Sequence, residues 1–143
     1  MKDFNTKRFF VAVISVYIVK QVLDIAIHGK ILESVYQSLS DVWRPDMEEK
    51  MWVMWLTSLI FSIFFVYIYH FFQKGHFKKG LATGLCYGFL MGFLIEGGNT
   101  FNSYALYELP ASLVWQWFIY GMIQMIIYGL VVAWIYKSKE SEL

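Results

Sequence analysis

The chain has 143 residues, which makes one domain at most. Apolar residues are 58 %, aromatics 20 % and charged residues 16 %, where a soluble domain carries about 25 % charged residues, and the mean hydropathy is +0.48. Six Trp, ten Tyr and thirteen Phe with a net charge of +1 exclude a soluble enzyme domain, a disordered chain and a nucleic-acid binder with a basic face, and the single cysteine, Cys86, excludes an intrachain disulfide.

A bilayer core about 30 Å thick takes about 20 mostly apolar residues per helix. The first such segment covers residues 9–27. It follows Lys2, Lys7 and Arg8 as a secretory signal would, but it lacks an A-x-A cleavage site and its apolar pattern resumes after Lys20, so it reads as a retained span. The outer loop that follows repeats Leu32, Val35, Tyr36, Leu39, Val42 and Trp43 at spacings of three and four, the pattern of an amphipathic helix on the membrane surface or across the bundle end. Pro45 is expected in the first turn of a helix entering the second span, with Asp46, Glu48 and Glu49 at its positive end. That span covers residues 51–72, the third residues 80–97 and the fourth residues 111–136. None alternates with period two, as a porin strand would. The expected fold is all-α: a four-helix membrane bundle, one domain over residues 1–143, with a short amphipathic outer helix between spans one and two.

Basic residues orient the bundle. Lys2, Lys7, Arg8, Lys74, Lys78, Lys79, Lys137 and Lys139 fall on one side, and only Lys30, Arg44 and Lys50 on the other. Both termini are therefore expected in the cytoplasm.

Ionisable groups inside a span cost a few kcal/mol, so each needs a reason. Lys20, Asp24 and His28 are spaced by four and share one helix face. Read as structure they are an internal ion pair, Lys20 to Asp24, beside an interfacial His28; read as function they belong to a ligand, ion or proton site. In span three Gly80, Gly84, Gly88 and Gly92 make a four-residue row, the signature of close helix packing, and Glu96 falls at the next step. Gly97, Gly98 and Asn99 are expected to end that helix. Span four adds Gln116 near its outer end and Gln124 near mid-membrane, with Gly121 and Gly129 on a packing face. Thr57, Ser58 and Ser62 of span two are expected to bond to their own helix backbone. His70 and His76 read as solvated interfacial residues, and the six Trp as an aromatic belt.

With spans one and three running outward and span four inward, Lys20, Asp24, His28, Glu96 and Gln116 share the outer half. A channel or carrier needs a polar route through the full depth, whereas an outward pocket does not. The expected site is therefore an outward-facing ligand pocket of those five residues. No cofactor is expected; Asp24, His28 and Glu96 are the metal candidates, since carboxylates and imidazole suit zinc, iron or manganese. No motif for phosphate cradling, nucleophilic catalysis or zinc hydrolysis is present.

The D-x-x-x-H-G stretch at residues 24–29, followed by Tyr36 and the Trp43-Arg44-Pro45 turn, resembles small bacterial four-helix inner-membrane proteins of uncharacterised families. The resemblance covers the first span and outer loop; it implies a bacterial inner-membrane location and brings no activity. Three function classes stay open: a non-enzymatic binding or accessory protein, a small oligomeric ion- or solute-transporting protomer, and a membrane enzyme with a carboxylate–histidine metal site. The expected partners are the lipid bilayer and a second copy or another membrane protein, with no nucleic acid.

Overall fold

A computed structural model of the chain describes residues 5–75 and 80–137. In chain order the helices are α1 (Thr6–Ala26), α2 (Glu33–Ser38), α3 (Met51–Phe72), α4 (Leu81–Leu106) and α5 (Ala111–Lys137), with no strand among the described residues. The four longer helices are long and apolar enough to cross a membrane, which makes the chain a multi-pass membrane protein by composition. Asn5 caps α1 by accepting the Arg8 N–H at 3.0 Å, and the Arg8 side chain donates to the Tyr136 carbonyl at 3.2 Å, tying the start of α1 to the end of α5.

Between lipid-facing helices the hydrophobic effect supplies little attraction, so close packing must hold the pair α4–α5. The glycines make that approach. A Cβ at Gly84 would run into the Gly129 carbonyl, and one at Gly88 would lie 2.7 Å from Ile126 Cα. Gly129 answers from α5, where a Cβ would lie 2.9 Å from Gly88 N. Gly92 packs on Met122 and Met125. Gly80 departs from the expected row: it precedes α4 with φ 128°, a conformation that favours glycine, and a Cβ there meets nothing within 4 Å among the described residues. It caps the start of α4 and, among the described residues, packs on no helix.

The core below is aromatic. Phe65, Tyr69, Tyr87 and Tyr128 are each 1 % exposed, and Ala12, Val13 and Val16 of α1 close it from the side. Tyr87 satisfies its hydroxyl in this apolar setting by donating to the Phe65 carbonyl at 2.6 Å, which links α4 to α3. Thr57 and Ser62 bond to their own helix, to the Met54 and Ser58 carbonyls. His70 is buried beside Phe71 and Tyr136, not solvated, because it faces α5. His76, Lys2, Lys78, Lys79 and Lys139 lie outside the described residues.

Three boundaries differ from expectation. α4 continues through Gly97, Gly98 and Asn99 to Leu106. Each interior glycine costs about 1 kcal/mol, but buried Thr100 anchors the helix beyond them, and Ser103 bonds back to the Asn99 carbonyl at 2.8 Å. Residues 32–43 do not form one helix: α2 stops at Ser38 and a 3₁₀ turn follows at Ser40–Val42. Their apolar side chains nevertheless pack together on Ile27, Leu109, Leu113 and Val114, and a fully buried leucine such as Leu32 or Leu113 stabilises by roughly 1.5–3 kcal/mol over water exposure. Pro45 sits in a turn ahead of α3, where the Arg44 guanidinium grips Asp46 at 2.6 and 3.1 Å and holds that carboxyl below its usual range.

Candidate functional site: a polar cavity at one end of the bundle

The cavity arises where the glycine row turns polar. Along α4 the packed positions Gly84, Gly88 and Gly92 are continued on the same face by Glu96, then by Asn99, Thr100 and Ser103. The helices touch closely while that face is glycine and part company where it carries side chains. The result is a cavity of about 240 Å³ at the end of the bundle that bears the 27–50 connection. Lys20, Asp24 and His28 line it from α1 and its continuation; Trp117, Tyr120, Gly121 and Gln124 line it from α5.

Four of the five expected pocket residues, Lys20, Asp24, His28 and Glu96, meet there. The fifth, Gln116, does not line the cavity, and Gln124 takes the place expected of it. The reason is rotational. Trp117, Tyr120, Gly121, Gln124 and Tyr128 form one stripe at helical spacing, and Gln116 lies roughly 90° off its centre at 100° per residue. The glycine contacts fix which stripe faces inward.

Asp24 is the best-satisfied charge. Lys20 Nζ meets its Oδ2 at 2.5 Å, one turn away on the same face, and Gln124 Nε2 donates to its Oδ1 at 2.9 Å from across the bundle. This is the expected ion pair, with a third partner that the four-residue spacing could not reveal. Glu96 differs: its carboxyl rests against Gly121, and a Cβ there would lie 2.5 Å from Glu96 Cδ. It has no hydrogen bond or ion pair among the described residues. Among the described residues two buried polar atoms lie unpartnered, Gln21 Nε2 and the Tyr128 hydroxyl, the latter one turn below Gln124. No three His, Cys, Asp or Glu side chains among the described residues are grouped closely enough to hold a metal ion, so Asp24, His28 and Glu96 share a wall without forming a ligand set.

Above the cavity an aromatic cluster ties the connection to α5. α1 ends in a widened turn, Ile27–Ile31, closed by Leu32 N–H to the Ile27 carbonyl at 2.8 Å, and such turns re-aim the side chains they carry. His28 stacks on Tyr36, with rings 5.9 Å apart and 8° from parallel. The Trp117 indole N–H can only donate, and does so to the Tyr36 hydroxyl at 2.7 Å, and the same hydroxyl shares a hydrogen bond with His28 Nδ1 at 2.5 Å. Trp43 Nε1 donates to the Tyr36 carbonyl at 3.0 Å. Burial raises the Tyr36 phenol above its ordinary range, against a smaller opposite pull from the Trp117 hydrogen bond. Trp43 and Trp117 pack into this cluster, while Trp52, Trp55, Trp115 and Trp134 face outward. Sequence reasoning missed Asn99, Thr100, Ser103, Trp117, Tyr120 and Gly121; the stripes 96–99–103 and 117–120–124 were the available signal.

The chain matches no protein-family model, no curated protein and no solved structure.

Proposed function

We propose that this chain is a non-enzymatic inner-membrane protein with both termini in the cytoplasm, whose cavity opens outward and binds a small ligand. The observation that carries the reading is the cavity's asymmetry. Charged and polar groups from three helices line it at one end of the bundle, and below Gln124 the space is filled by Met125, Phe61, Phe65, Tyr87 and Tyr128. A binding site needs such a floor; a conducting path needs polar groups or a switchable route beyond it. The same filled core weighs against a transporting protomer, and the scattered donor set weighs against a metal enzyme. The eight-to-three division of Lys and Arg supports the orientation. It puts the apolar residues between Leu32 and Trp43 at the outer membrane–water boundary, as an amphipathic cover over the bundle end.

Cysteine labelling of intact cells with a membrane-impermeant maleimide tests both parts. Ser38→Cys and Ser103→Cys are expected to react and Ser141→Cys to be protected. Labelling of Ser141→Cys refutes the orientation, and protection of Ser103→Cys refutes the open pocket.

A further inference from the structure

We infer that the cavity takes a positively charged amine, with the Glu96 carboxylate as its counter-charge; this rests on reading the cavity as a ligand pocket. Its wall charges are Lys20, Asp24 and Glu96. Asp24 is already matched, by Lys20 on one oxygen at 2.5 Å and by Gln124 on the other at 2.9 Å. Glu96 is not matched by any hydrogen bond or ion pair among the described residues. Besides His28, the cavity wall carries two carboxyl groups and one lysine.

Glu96 is also seated. Its carboxyl fills the space a side chain at residue 121 would take, with Oε2 2.6 Å from the position of a Cβ there. Glycine at 121 therefore holds an acidic group against α5 inside a cavity, a different task from the backbone contacts at Gly84 and Gly129. The same cavity wall carries the rings of Trp117 and Tyr120. A carboxylate without a hydrogen-bond or ion-pair partner that shares a cavity with aromatic rings is the combination that recognises ammonium groups. A single metal ion fits less well, since the His and acidic side chains are not grouped for one, and the space of about 240 Å³ is several times a water's share of about 30 Å³. An anion would meet Glu96 and a lysine that is already paired.

An ammonium group can reach this place on a soluble amine or on an aminophospholipid headgroup, and two arms of one experiment separate them. In the first, thermal unfolding is followed in phosphatidylglycerol nanodiscs with ethanolamine, tetramethylammonium or acetate added. In the second, the nanodiscs contain phosphatidylethanolamine and no free amine. At least one ammonium arm is expected to raise the Tm of the wild type and of Gln116→Ala, which lies outside the cavity, while acetate does not. Glu96→Gln is expected to weaken the response at least about tenfold in apparent affinity, the loss of one charge-assisted hydrogen bond. A response to free amine identifies a solute, and a response to the lipid alone identifies a headgroup. If Glu96→Gln does not fold, Gly121→Ala, which keeps the charge but displaces it, serves in its place. A Tm unmoved in both arms overturns the inference, as does a response that survives the substitution. Maleimide labelling of Ser103→Cys separates the two failures: labelling without an ammonium response overturns the ligand class alone, and neither labelling nor response overturns the pocket as well.

Discussion

The same substitution, glycine to alanine, should change sign along α4. At Gly97 a Cβ meets nothing within 4 Å among the described residues, so alanine only restores helix propensity and should stabilise by about 1 kcal/mol. At Gly88 the same methyl would run into the Met125 carbonyl and lie 2.7 Å from Ile126 Cα, where ordinary contact is roughly 3.5–4 Å. Both neighbours are backbone, so no side chain can swing away and α5 itself must retreat. Overpacking a well-packed contact costs about 1–3 kcal/mol, and backbone overlap belongs at the upper end. Subtracting the propensity gain leaves a net loss of about 2 kcal/mol, a contrast of about 3 kcal/mol between two chemically identical changes. Reversible unfolding in mixed detergent, followed by circular dichroism, reads this contrast directly. Equal stabilities for Gly88→Ala and Gly97→Ala would refute the claim that glycine at 88 serves helix contact, and the α4–α5 register with it.

Lys20→Met should destabilise by about 3 kcal/mol because it strands the Asp24 carboxylate, and adding Asp24→Asn should recover part of that loss; unfolding of the two single variants and the double variant measures the coupling. Gln124→Leu removes the second donor to Asp24 and should cost about 1–2 kcal/mol, while Gln116→Leu should stay within about 0.5 kcal/mol of wild type in the same assay. Tyr36→Phe should cost about 1 kcal/mol and raise hydrogen exchange over residues 33–43, since Trp117 N–H and His28 Nδ1 lose their shared partner. Tyr36 also sets a pH dependence. Its folded phenol sits above its unfolded value, so its contribution is fully present below about pH 10 and lost as pH rises through the folded value. Exchange over that segment should accelerate above about pH 10 in the wild type, and a similar acceleration in Tyr36→Phe would count against this.

Hydropathy along the chain was enough to find four membrane-length helices, because a segment in lipid must satisfy its own backbone and so declares itself as one long apolar run. The Lys20–Asp24 pair was legible for a related reason: residues four apart on a helix meet whatever else the chain does. The glycine row was legible at Gly84, Gly88 and Gly92, whose packing needs only a neighbour and a common face. What sequence periodicity could not supply was rotation and register between helices. Whether Gln116 or Gln124 faced Asp24 depended on how α5 is turned against α4, and Gly129 and Met125, by where the backbones touch, and Gly121, by where it seats the Glu96 side chain, settle that. The run through Gly97 and Gly98 was equally hidden, since those glycines weaken a helix locally while Thr100 and Ser103 hold it from beyond. The aromatic cluster lay furthest from view. It joins His28, Tyr36, Trp43 and Trp117 through a widened turn that no apolar period announces, and its hydrogen bonds close only when three separate segments have already packed.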